Sequence, residues 1–124
     1  MSTKEFFIRV DANPQIGIGH FMRCIALAQQ SKKQGYKVTF ISACENISLR
    51  NKIIDEGFQL VSIKKPYPDP VDLETTLGLI NNSLSNNTWV VLDGYHFDMH
   101  YQQSIKNNGN RLLVIDDTAH LNYY

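Results

Sequence analysis

Arg9-Val10-Asp11-Ala12-Asn13-Pro14-Gln15-Ile16-Gly17-Ile18-Gly19-His20-Phe21-Met22-Arg23-Cys24 joins two segments of different hydrophobic period. Upstream, Glu5 to Asp11 is rich in Phe, Ile and Val and reads as a β-strand. Downstream, Phe21, Cys24, Ile25 and Ala28 fall at i, i+3, i+4 and i+7, the stripe of a helix that faces a core. Between them lie an Asn-Pro turn signal and two glycines. A strand, a glycine-rich turn and a helix in that order open a parallel α/β sheet.

The same alternation continues outward. Gly35 stops the first helix behind Lys32 and Lys33, whose charges suit its C-terminal end. Tyr36 to Ser42 reads as strand two, Ser48 to Glu56 as a short helix ending at Gly57, and Phe58 to Ile63 as strand three. A loop from Lys64 to Pro70 holds three prolines. Asp72 then caps a third helix with the stripe Leu73, Leu77, Ile80 and Leu84, ended by Asn86 and Asn87. Thr88 to Asp93 is strand four, apolar almost throughout, as a strand covered on both faces should be. Asp98 to Asn108 reads as a fourth helix and Arg111 to Asp116 as strand five. The fold class is therefore α/β, a doubly wound Rossmann-like parallel sheet with helices on both faces and strand order 3-2-1-4-5.

The chain has 124 residues, 43% of them hydrophobic, with no repeat and no internal linker, so it forms one domain. Twelve Lys and Arg balance twelve Asp and Glu. This balance gives no basic footprint for a nucleic-acid backbone and no polybasic patch for a membrane. Apolar runs such as Leu112 to Ile115 are far shorter than the roughly 20 residues a membrane span needs. Met1 to Glu5 lacks the apolar stretch of a leader, so a cytoplasmic protein is expected. Cys24 and Cys44 match no zinc spacing and no disulfide framework, and read as buried free thiols. A half of this kind normally has a sixth strand and closing helices. Residues 1–124 are accordingly expected to be a truncated N-terminal domain.

Ligands of such sheets bind outside the carboxyl ends of the strands, at the switch point between strands one and four. Three loops reach it: Asp11 to His20, Asp93 to Asp98, and Asp116 to His120. Met22 stands where a dinucleotide fingerprint needs its third glycine, and no GK[ST] follows, which excludes a triphosphate P-loop. His20, at the start of the first helix, is either a solvated polar residue or a general base. Arg23 either binds an anionic partner or solvates the helix. Asp11 ends strand one, where it accepts loop N–H groups or touches a ligand. Asp93 ends strand four, Gly94 allows a sharp turn, and Tyr95 offers a ring and hydroxyl to a sugar or packs on the domain edge. His96 and His100 share a helix face around Asp98. They lack a third metal ligand, and Asp98 is a good N-cap. Asp116 and Asp117 bind sugar hydroxyls or mark a plain turn.

Arg9-x-Asp11-Ala12, Ile16-Gly17-x-Gly19-His20, Arg23-Cys24 and Leu27-Ala28 together resemble the start of the PseG hydrolases of pseudaminic acid biosynthesis. These are related to the spore-coat polysaccharide protein SpsG. Asp93-Gly94-Tyr95 and Ile115-Asp116-Asp117-x-Ala119 resemble the next two motifs of that family. The similarity spans nearly the whole chain and covers only the family's N-terminal domain. The resemblance implies a glycosyltransferase-B-like architecture akin to MurG. It also implies hydrolysis of UDP-2,4-diacetamido-2,4,6-trideoxy-β-L-altropyranose by water attack at the anomeric carbon, with no metal and no cofactor. It makes His20 the general base and puts Tyr95 near the sugar, both as catalytic residues. Asp11, Gly17, Gly19, Arg23, Asp93 and Asp117 complete the set as substrate-binding residues. The expected partners are a UDP-sugar and a C-terminal UDP-binding domain, in cis or in trans, with neither nucleic acid nor membrane. A glycosyltransferase of the same fold and a non-catalytic sugar or nucleotide binding module are the alternatives.

Overall fold

A computed structural model describes residues 4–11, 19–83, 87–94 and 97–115. Its elements are β1 (Lys4–Val10), α1 (Gly19–Lys33), β2 (Tyr36–Ser42), α2 (Ile47–Asp55), β3 (Gln59–Ser62), α3 (Pro70–Asn81), β4 (Asn87–Asp93), α4 (Met99–Asn107) and β5 (Arg111–Ile115). The strands form one sheet in the order β3-β2-β1-β4-β5, every pair parallel, as the alternation of periods requires. Ile8 of β1 lies between Phe40 of β2 and Val91 of β4.

Side-chain alternation along the strands divides the interior into two layers. On one face Phe6, Ile8 and Val10 pack with Phe40 and Val91 against Phe21, Cys24, Ile25 and Ala28 of α1 and Leu49 and Ile53 of α2. On the other, Phe7, Ile41, Val90 and Leu92 pack against Ile80 of α3 and Tyr101 and Ile105 of α4. Val90, Val91 and Leu92 are all fully buried, which accounts for the unbroken apolar run of β4. Both cysteines are buried free thiols.

The third helix departs from its sequence reading. It starts at Pro70 with Asp69 as the N-cap, whose carboxylate accepts from Val71 N–H at 2.9 Å. Asp72 is not a cap. Its carboxylate is buried in the first turn and is taken up by Arg9. The second helix likewise begins one residue earlier than its apolar pattern, because Asn46 rather than a later residue caps it. β3 is shorter than expected. It is an edge strand, and Phe58 and Ile63 at its ends turn into the two core layers. The expected cap Asp98 holds, accepting from Tyr101 N–H at 3.2 Å. No helix among the described residues is long and apolar enough to cross a membrane.

Candidate functional site

Parallel pairing brings the carboxyl ends of β1 and β4 level, with Val10 beside Asp93. α1 begins close by at Gly19, and one stripe of its first turns carries His20, Arg23 and Cys24. Their side chains converge on Asp93. The carboxylate oxygen Oδ1 of Asp93 meets Nδ1 of His20. Arg23 donates from Nη2 to Oδ1 and from Nε to Oδ2, each at 3.0 Å. The thiol of Cys24 donates to Oδ2 at 3.2 Å. The Asp93 side chain is inaccessible to solvent, whereas those of His20 and Arg23 remain 15% and 34% exposed. Gly94 follows with a φ of 143°, a region that favours glycine, and turns the chain away from the strand end.

A carboxylate only accepts hydrogen bonds, so its contact with His20 places the ring proton of the neutral imidazole on Nδ1. Nε2 is then the basic nitrogen. Nη2 of Arg23 also lies 2.9 Å from Nδ1, but it cannot donate to a nitrogen that already carries a proton. That approach follows from both groups binding Oδ1. Burial first, and then the Asp93 charge, push the Cys24 thiol well above its ordinary range. Cys24 therefore remains a protonated donor.

A second buried cluster supports the end of β1. Arg9 is fully buried, and its guanidinium donates to both oxygens of Asp11 and both oxygens of Asp72. It also donates to the carbonyl of Ile41 at 3.3 Å. Burial lowers its proton affinity, but the hydrogen bonds to Asp72 and Asp11 outweigh this and hold it above the ordinary arginine value. Asp11 additionally accepts from Ala43 N–H at 2.7 Å, tying β1 to the end of β2. Asp72 accepts from Tyr101 Oη at 2.7 Å and from Tyr67 N–H at 2.7 Å. Burial and the nearby Asp72 charge raise the Tyr101 hydroxyl.

The structure thus brings His20, Arg23 and Asp93 together, whereas Asp11, just past the end of β1, is bonded into the Arg9 cluster on the α3 and α4 side of the sheet. Gly19 is exposed at the start of α1, and open space surrounds the place a side chain would occupy. Gly17, Tyr95 and Asp117 lie outside the described residues, as does His96 of the considered metal pair. Among the described residues no group of three or more His, Cys, Asp or Glu could hold a metal ion. A cavity of about 760 Å³ is bordered by Glu5, Lys37 and Gln59 at the amino ends of the strands, away from this cluster.

No protein-family profile and no curated protein matches the sequence. In structure the chain is similar to a glycosyltransferase from Rickettsia africae ESF-5, with a TM-score of 0.68 and 12% identity. The fold is glycosyltransferase-B-like. The match covers 97% of this chain and 32% of that one, so the chain spans about a third of the glycosyltransferase's length. At this identity the likeness shows a Rossmann-like parallel-sheet fold and does not single out the PseG and SpsG family. Cys24, Arg9 and Asp72 are not among the candidate site residues of the sequence reading. Cys24 reads as an ordinary member of an apolar stripe. Arg9 stands out in the sequence by its charge among the apolar residues of the first strand and as the first residue of Arg9-x-Asp11-Ala12, and Asp72 reads as a helix cap.

Proposed function

We propose that this chain is the proton-accepting half of an enzyme that transfers a sugar from a nucleotide-sugar donor. His20 is its general base, and residues 1–124 are its N-terminal domain. The observation that carries this reading is the His20–Asp93 contact at the carboxyl edge of the sheet, where ligands of such folds bind. An acceptor hydroxyl attacks the anomeric carbon and forms the new C–O bond. Its proton passes to Nε2 of His20. The bond between the sugar and the diphosphate breaks, and its electron pair leaves on the phosphate oxygen. A diphosphate is already a good leaving group, so orienting and deprotonating the acceptor is the main task left to the protein. The exposed N-terminus of α1 favours the negative charge that develops. Most contacts to the nucleotide come from a second domain.

Water in place of the acceptor gives the hydrolase reading. The motif Gly17-x-Gly19-His20 and its resemblance to the PseG hydrolases favour it, and with it a role in pseudaminic acid or surface polysaccharide synthesis in the cytoplasm. UDP release from a UDP-sugar, measured on the protein expressed from the whole reading frame, separates the two. Release that needs an added sugar acceptor supports transfer, and release in water alone supports hydrolysis. Both readings require His20→Ala to slow release by about 10²- to 10⁴-fold. Full activity in that variant would overturn both. Nucleotide-sugar binding without any release would leave a binding module.

A further inference from the structure

Asp93 accepts more contacts than orienting one histidine requires, and those from Arg23 and Cys24 reach both of its oxygens. Arg23 grips the carboxylate from one side through Nε and Nη2, a two-point contact that fixes the plane of the group. Cys24, one residue along the helix, holds Oδ2 from within the core, where its side chain has no exposure. With Oδ2 held in this way, Oδ1 is the oxygen turned to the histidine ring. We propose that Arg23 and Cys24 are positioning residues that lock Asp93 and thereby hold His20 as a single Nδ1–H tautomer, in which Nε2 is the basic nitrogen. The inference rests on the general-base role of His20, and it gives Arg23 a task other than gripping an anionic substrate. Among the described residues, the charged or titratable groups meeting this ring are Asp93 from β4 and Arg23 from α1.

The ring tautomer is directly readable from the ¹⁵N shifts of the His20 imidazole, in the chain alone and with no substrate. The wild-type chain should give one pyrrole-type signal for Nδ1 and one pyridine-type signal for Nε2. Arg23→Gln should draw the two signals together, as an unlocked ring samples both tautomers. Arg23→Lys keeps one donor and should fall between. Cys24→Ala should shift them in the same direction, and Cys24→Ser, which keeps a donor, should restore the wild-type pattern. A backbone amide spectrum of each variant confirms the fold. If Arg23→Gln does not fold, Arg23→Lys and the Cys24 pair decide the matter. In the active protein, Arg23→Gln should lower kcat by about 10- to 100-fold with KM little changed. Unchanged ring signals in the folded variants, or a rise in KM alone, would overturn the positioning role while leaving His20 as the base. Full activity of His20→Ala would instead remove the reading on which the inference rests.

Discussion

Asp93 sits where a carboxylate is costly without partners, at the solvent-free end of a central strand, and His20, Arg23 and Cys24 supply them. The arrangement is chemically asymmetric. Arg23 and Cys24 donate to the carboxylate, whereas His20, under the proposed function, uses its second nitrogen as the base. His20→Ala should therefore lower kcat by about 10²- to 10⁴-fold, which corresponds to about 3–5 kcal/mol of transition-state stabilisation. It should also lower stability by about 1–3 kcal/mol in thermal unfolding, because it takes one donor from a solvent-inaccessible carboxylate. Cys24 gives a different signature. Its thiol, ordinarily near 9.0, and the Tyr101 hydroxyl, ordinarily near 10.0, are both raised in the fold, chiefly by burial. Above these ordinary values the unfolded chain releases both protons while the native chain keeps them, so ν_U falls below ν_N and stability declines as pH rises. Urea midpoints should therefore drop from about pH 9 upward, by at most about 1.4 kcal/mol per pH unit for each group. In Cys24→Ala the decline just above pH 9 should be shallower, with the raised Cys44 thiol still contributing to it.

At the level of elements, the Arg9 cluster joins β1, the end of β2, α3 and α4 through one guanidinium. Its bonds reach Asp11, Asp72 and the carbonyl of Ile41, and it is the positive charge between the two carboxylates. Arg9→Met should cost about 3–5 kcal/mol in urea unfolding, because two buried carboxylates lose their counter-charge. Adding Asp72→Asn to that variant should recover part of the loss; a further loss equal to that of the single Asp72→Asn change would show that the two side chains do not interact. Element types and order were legible in the sequence, because the change of period from Glu5–Val10 to Phe21–Ala28 is sharp and recurs along the chain. Helix starts were legible where the cap was the last polar residue before the stripe, as at Asp98. They were not where a buried ion pair took the acidic residue that the pattern offered as a cap, as at Asp72. Propensity describes a residue on its own helix, whereas the partner of Asp72 lies 63 residues earlier. For the same reason His20, Arg23 and Asp93 were legible as candidates, each at an element end facing the switch point. Their convergence, and the part Cys24 plays in it, depend on the β1–β4 register and appear only in three dimensions.

For the whole molecule, the sheet supplies an edge on which α1 and β4 meet, and the described part of that edge carries the cluster of His20, Arg23, Cys24 and Asp93. The chain matches about a third of a glycosyltransferase, 32% of its length. Under the two-domain proposal the 124-residue chain alone should bind UDP with a Kd of about 1 mM or weaker and release no UDP from UDP-sugars. Calorimetric binding of UDP in the micromolar range would show instead that this domain carries the nucleotide site. The most direct test of the His20 assignment is the rate of UDP release by the protein from the whole reading frame, measured side by side with its His20→Ala form at saturating donor. A fall of about two to four orders of magnitude in kcat, with the variant still folded, is the predicted result. A kcat equal to that of the unaltered protein would contradict the account.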